Sequence, residues 1–322
     1  MKPNVTSILA VGCLAATSVP AVACPSARLD HVAVLVENTD AVVASLKLAF
    51  GTSAFTETMK MSDPGFGQID LTYAPIGDGW LEFVQPIGPG PITDLLKKLG
   101  SGTIIELNFE TSDLKACAEL LAARDVPMTD VNGKSYEGSG TFGSLVQPYG
   151  LRFAYVDQRR TGGATVEFFQ RTDRPDDYLK RRDAWHRMLP KISSVTLGAV
   201  NVEVSNLDIS IQNFHRIGFA AQIEKGFCPK GECRSAIVTT NGMPIRLYQP
   251  LTLEPANSEK SAPESDVIKS ISVVTTKKSY DRLANNKSAT PGLFITSRKH
   301  GAVQTGRPAQ RQPGLQLVIA PK

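Results

Sequence analysis

The chain has 322 residues, of which 42% are hydrophobic and 20% charged. That composition excludes disordered and collagen-like chains and leaves room for two domains of ordinary size. Thirty-five basic against thirty-one acidic residues give a net charge of +4, without the concentrated basic stripe of a dedicated nucleic-acid binder, so no nucleic-acid partner is expected.

Residues 1–23 read as an export signal. Lys2 supplies a short positive region, Ile8 to Ala16 an apolar run, and Ala21-Val22-Ala23 the small residues a signal peptidase requires. The run is too short for a membrane-spanning helix, and Pro20 interrupts it. Export to a bacterial periplasm is the expectation. Cys24 follows at once, and Ala-Val-Ala-Cys resembles a bacterial lipoprotein box, so a lipid anchor at Cys24 is the alternative to a freely exported chain.

The remaining chain repeats itself. Leu29 to Val36 alternates as a strand, and Asp40 to Phe50 is patterned as an amphipathic helix ending at Gly51. Phe66 to Tyr73 and Trp80 to Pro86 are further strands. The order then recurs. Ile104 to Glu110 is a strand, and Ser112 to Arg124 a helix with Ser or Thr available as its cap. Leu151 to Asp157 and Ala164 to Gln170 follow as strands. Leu81-Glu82-Phe83 and Val166-Glu167-Phe168 occupy the same place in the two units. Cys117 lies on the second helix and is expected as a core thiol.

Residues 171–194 are charged and contain Pro175 and Pro190, which marks a linker with one short helix. A third unit runs from Leu197 through the helix at Leu207 to Arg216 and closes on Pro244 to Pro250. Between them, Cys228 and Cys233 flank Pro-Lys-Gly-Glu, the spacing of a hairpin disulfide in an oxidising compartment. A fourth unit spans Val267 to Ala320, with a weak helix at Lys278 to Asn285 and a closing strand at Gly314 to Val318. The basic stretch Arg298 to Arg311 reads as a solvated loop.

Four strand–helix–strand–strand–strand units in register resemble the vicinal oxygen chelate superfamily, which includes glyoxalase I, methylmalonyl-CoA epimerase, extradiol dioxygenases and bleomycin-resistance proteins. Leu29-Asp30-His31-Val32-Ala33-Val34 is similar to that family's opening strand, and Gly162 to Glu167 to its closing one. The stretch from Ile92 to Leu121 is most like the epimerase branch. The resemblance implies an α+β fold in which βαβββ units pair into two cupped half-barrels. It divides the chain into a signal (1–23), a metal-site domain (24–170), the linker (171–194) and a degenerate second domain (195–322).

Carried over residue by residue, the resemblance implies a divalent-metal site at His31, Glu82, Glu106 and Glu167. Glu106 stands where the family has a histidine. One imidazole and three carboxylates form a hard donor set suited to Mn²⁺, Fe²⁺, Co²⁺ or Mg²⁺, with Zn²⁺ admissible. Three carboxylates on one divalent ion leave a net charge of −1, so one of them is expected to detach and serve as base. Glu167 or Glu106 takes that catalytic role, and Glu57 is a weaker candidate. The implied activity is that of an isomerase or lyase acting on vicinal oxygens of a small oxygenated substrate. An extradiol-type dioxygenase would need two histidines and has one, and a non-catalytic sequestering protein is the third reading. The second half has Ala199, Arg246 and Gln316 where the first has His31, Glu82 and Glu167. His186, His215 and His300 fall outside the matching positions. The oligomeric state stays open.

Overall fold

The computed structural model describes residues 24, 26–50, 59–63, 66–76, 79–136, 144–146, 151–156, 165–171, 195–224, 232–251, 267–275, 293–299, 302–303 and 315–321. The export signal, Glu57, most of the linker, Cys228, His186, His300 and the helix expected at 278–285 lie outside the described residues.

The first unit is β1 (Arg28–Leu35), α1 (Thr39–Phe50), β2 (Met59–Asp63), β3 (Gly67–Ile76) and β4 (Gly79–Pro86). After α2 (Pro91–Leu99) the second unit is β5 (Thr103–Glu110), α3 (Leu114–Ala122), β6 (Met128–Thr129), β7 (Ser144–Val146), β8 (Leu151–Val156) and β9 (Thr165–Arg171). Together they make one mixed sheet, ordered β2-β3-β4-β1-β5-β9-β8-β6, with β7 paired to β8. In each unit the first strand runs parallel to the last, and the two units join antiparallel through β1 and β5.

The second half builds the same way. The third unit is β10 (Val195–Glu203), α4 (Leu207–Arg216), β11 (Ala220–Glu224), β12 (Cys233–Thr239) and β13 (Ile245–Pro250). The fourth is β14 (Val267–Thr275), β15 (Leu293–Lys299), β16 (Ala302–Val303) and β17 (Leu315–Pro321). The sheet order is β11-β12-β13-β10-β14-β17-β15-β16. The last unit departs from the other three. β15 lies parallel to β17, and the hairpin strand β16 takes the edge. The fold is thus α+β, two cupped sheets from four related units.

The units repeat their caps as well as their strands. Asn38, Asp113 and Asn206 each accept a hydrogen bond from a backbone N–H three residues on, at 3.0, 2.9 and 3.1 Å. A short polar side chain there satisfies one of the orphan donors of a helix start. Asp113, not a Ser or Thr, therefore caps α3. Gln85, Gln170 and Gln249, three residues past Glu82, Glu167 and Arg246, accept from the backbone N–H groups of Thr39, Leu114 and Leu207. The closing strand of each of these units thereby fixes where its own helix begins.

Alternation sorts the strands into two faces. Val32, Val34, Leu81, Phe83, Leu107, Phe109, Val166 and Phe168 face a core that continues into Val200, Val202, Phe214, Phe219, Ile245 and Leu247 of the second half. Phe109 bridges the halves, its ring 5.4 Å from Phe168 and 4.6 Å from Phe219. At the same seam the Asn241 side-chain amide donates to the Ala27 carbonyl at 3.0 Å, and a side chain at Gly242 would overlap the Leu29 carbonyl oxygen. The opposite face of the first sheet carries Ala33, Leu35, Ile69, Leu71 and Val84. Ile92, Leu95 and Leu96 of α2 cover this patch. The sequence reading had no helix at 91–99. Gly67 and Gly90 approach so closely that a Cβ on Gly90 would lie 2.9 Å from the Gly67 Cα, which seats α2 against the start of β3.

One cysteine expectation changes. Cys117 is no free core thiol but is bonded to Cys24. Cys233 is also disulfide-bonded.

Candidate active site

The four residues singled out from sequence come from four neighbouring strands, and the register explains their meeting. Ala33 pairs with Glu82 across β1 and β4, and Asn108 pairs with Glu167 across β5 and β9. His31 lies two residues before Ala33, and Glu106 two before Asn108. Glu106 is therefore the register equivalent of His31, as Glu167 is of Glu82. All four project to the face opposite Leu81, Phe83, Leu107, Phe109, Val166 and Phe168, into one cup.

His31 is 5% exposed and sits at a bulge in the β1–β5 ladder, between Leu29 and His31. A bulge inserts one residue and re-aims its neighbours. Here it brings Asp30, which strict alternation would send to the other face, alongside His31. His31 Nδ1 lies 3.0 Å from Asp30 Oδ2, and His31 Nε2 lies 3.3 Å from Glu82 Oε2. The Tyr73 hydroxyl donates to Glu82 Oε1 at 2.6 Å. Arg171 reaches Asp30 at 3.8 Å and Glu110 at 3.6 Å, its guanidinium 5.3 Å above the Phe169 ring. The imidazole packs against the Tyr73 and Phe169 rings.

These contacts set the protonation states. Burial alone would lower His31, but hydrogen bonds and charges of Asp30 and Glu82 outweigh it and raise it to about 10. Burial would raise Asp30, yet the His31 hydrogen bond, Arg171 and Arg28 hold it down to about 2. Burial and the charge of Glu82 push Glu106 up to about 8. Burial and the charges of Glu106 and Glu82 push Glu167 well above the ordinary carboxyl range, although the Tyr155 hydroxyl hydrogen-bonds to it and opposes that shift. Tyr155 faces Glu167 across β8 and β9 as Tyr73 faces Glu82 across β3 and β4. Each closing glutamate thus has its own tyrosine.

Two donors bound side by side on one ion at about 2.1 Å each stand about 3 Å apart. His31 Nε2 and Glu82 Oε2 have that spacing. Among the described residues no three His, Cys, Asp or Glu groups are gathered closely enough to hold an ion. Glu106 and Glu167 share the cup but would have to swing their carboxylates to join the pair. The donor types are those of a divalent-metal site, but the 3.3 Å pair is itself a His31–Glu82 hydrogen bond, and among the described residues no coordination shell is formed.

Five participants escaped the sequence reading. Asp30 was hidden by alternation, because only the bulge turns it inward. Tyr73 and Tyr155 look like ordinary strand aromatics, and only cross-strand pairing shows them opposite Glu82 and Glu167. Arg171 fell in the charged stretch taken for linker. Asn108 sits mid-strand between the core residues Leu107 and Phe109, and no sequence signal marks it. His215 accepts from the Ala221 backbone N–H at 3.2 Å, a local role away from the cup.

No family model matches the sequence, and no curated protein does. Solved structures do show likeness. Streptomyces coelicolor methylmalonyl-CoA epimerase in complex with 2-nitronate-propionyl-CoA is 17% identical over 47% of this chain and 99% of its own, with a TM-score of 0.37. The Mycobacterium tuberculosis methylmalonyl-CoA epimerase is 21% identical over 47% of this chain and 91% of its own, TM-score 0.37. A mutant of 4-hydroxymandelate synthase from Streptomyces coelicolor is 12% identical over 81% of this chain and 75% of its own, TM-score 0.48. The chemistry of the cup stands on this chain's own residues.

Proposed function

We propose that the chain is an exported, divalent-metal-dependent isomerase or lyase that moves a proton on a small oxygenated substrate held in the first cup. The observation that carries this reading is the convergence of His31, Glu82, Glu106 and Glu167 at register-equivalent places on one buried face. His31 and Glu82 would hold the ion, with Glu106 or Glu167 available to complete its shell. A bound divalent ion would supply Lewis acidity to a substrate oxygen.

The proton is the task of this chain's own carboxyls. Glu106 is pushed up to about 8, the poise of a group that gives and takes a proton near neutral pH, and Glu167 stands well above the ordinary carboxyl range. Glu167 is the better placed as base, because the Tyr155 hydroxyl orients its carboxyl. Asp30 fixes the His31 ring through Nδ1, and Arg171 anchors Asp30, so the imidazole cannot rotate away. Phe169, Tyr73 and the apolar patch under α2 keep water from that wall of the cup.

Export belongs to the same reading. The Cys24–Cys117 bond and a bonded Cys233 support an oxidising compartment, and the bonded Cys24 supports a periplasmic chain without a lipid. Among the described residues no helix is long and apolar enough to cross a membrane.

One observation favours a non-catalytic ligand-binding protein instead: protein carboxylates already engage both nitrogens of His31. Elemental analysis of the mature protein separates the two. The enzyme reading expects about one Mn, Fe, Co, Mg or Zn per chain, lost in His31→Ala together with proton exchange on substrate. Metal-free protein whose ligand binding ignores chelators would establish the binding protein.

A further inference from the structure

Asn108 is 1% exposed, and among the described residues its side-chain nitrogen has no hydrogen-bond partner. It lies at the middle of the cup. Its Cα pairs with His31 on one side and with Glu167 on the other, so the three residues form one row across β1, β5 and β9. Neighbouring strands are about 4.8 Å apart, which puts the Asn108 amide within reach of whatever Glu167 touches. The flanking groups are already engaged. His31 holds Asp30 and Glu82, and Glu167 holds Tyr155. Neither takes the Asn108 N–H.

Buried amides are nearly always paired, so an orphan donor in a row of reactive groups calls for an acceptor from outside. In the second half the register equivalent of Asn108 is Ser272, so the amide belongs to the first cup alone.

We propose that Asn108 holds the carbonyl oxygen of the substrate, and that this substrate is an uncharged carbonyl compound with a C–H next to the carbonyl. The proposal rests on the reading of the cup as a proton-transfer site. A donor beside the base lies where negative charge develops on the oxygen as the adjacent C–H is broken, the place where a fixed hydrogen bond serves catalysis most. Pairing argues for a neutral substrate. Arg171 is committed to Asp30 and Glu110. Among the described residues an anionic substrate would meet no uncommitted guanidinium at the row.

The test uses the full mature chain and hydroxyacetone as probe, with glycolate as the anionic control, titrated by ligand-observed NMR. Wild type is expected to bind hydroxyacetone in preference to glycolate. Asn108→Leu, of nearly the same shape, is expected to weaken hydroxyacetone about three- to tenfold, the worth of one ground-state hydrogen bond. Because it removes an unsatisfied buried donor, the same substitution is expected to raise the melting temperature by about 2–4 °C. Unchanged hydroxyacetone binding in Asn108→Leu overturns the proposal, as does a wild type that binds glycolate better or binds neither probe. A fall in melting temperature also overturns it, since that would reveal a structural partner for the amide. Probe binding asks nothing of the proton-transfer step. Binding that needs Asn108 in a protein indifferent to Glu167→Gln would therefore sink the catalytic reading and leave this assignment standing.

Discussion

The two halves of the chain share a scaffold and differ in what they put on it. Both central ladders carry bulges at the same two places, between Leu29 and His31 and between Ala33 and Val34 in the first half, and between Leu197 and Ala199 and between Asn201 and Val202 in the second. At the four positions where the first half has His31, Glu82, Glu106 and Glu167, the register of the second gives Ala199, Arg246, Ser270 and Val318. Sequence spacing had chosen Gln316 for the last of these. The pairing of Ser272 with Val318 moves the equivalence two residues on, along the same face. Arg246 then turns to Glu224, at 2.5 and 2.9 Å, and neutralises it. The first cup concentrates acid around one imidazole and leaves a donor open, whereas among the described residues of the second Arg246 pairs with Glu224 and Tyr248 with Glu203.

The contrast breaks hardest at the closing glutamates. Glu167→Gln is expected to lower proton exchange on substrate by about 10²–10⁴-fold, while Arg246→Gln at the equivalent place leaves it unchanged and costs about 1 kcal/mol of stability through the half-exposed Glu224 pair. Steady-state kinetics and urea denaturation of both variants measure this. Equal losses of activity would erase the distinction between the halves.

The covalent tie comes next. Cys24 and Cys117 are 93 residues apart in sequence and belong to the first half alone. Closing a loop of that length is worth about 4–5 kcal/mol in the chain-entropy account. Cys24→Ser should therefore lower the denaturation midpoint of the first half. Mass spectrometry of the wild type should show no lipid on Cys24.

The smallest effect is the most diagnostic of the acidic cup. A buried carboxyl whose folded pKa is raised binds protons more tightly in the folded chain, so its contribution is present at low pH and is lost as pH rises through the folded value. Glu106, raised from 4.5 to about 8, works in that direction, and so does His31, raised from 6.5 to about 10. Asp30 works oppositely. Its contribution is present above 3.8 and is lost as pH falls toward 2. Chelator-treated protein should be most stable near pH 4–5 and weaken toward pH 8. Glu106→Gln should flatten that decline, and Mn²⁺ should raise the melting temperature more at pH 8 than at pH 5. A flat profile in wild type would deny the clustering of acids.

Local chemistry made much of this protein legible. Alternation in Leu29 to Val36, the Glu82 and Glu167 strands and the helices ending near Gly51 and Gly218 follow from periodicity, which depends only on neighbours along the chain. So does the repeat, because equivalent places call for the same residue types, down to the glutamine three positions past Glu82, Glu167 and Arg246. The helix at 91–99 carries the helical spacing in Ile92, Leu95, Leu96 and Leu99 behind Pro91 and was legible from periodicity; only its partner patch, assembled from β1, β3 and β4, belongs to the tertiary structure. Tertiary structure alone decided the rest. A bulge is a property of two strands, so it could turn Asp30 toward His31 without leaving a mark in either. Register gave each glutamate its tyrosine and set Asn108 between His31 and Glu167. The sulfur of Cys117 met Cys24 because the start of β1 and helix α3 lie side by side, a proximity that no spacing along the chain encodes.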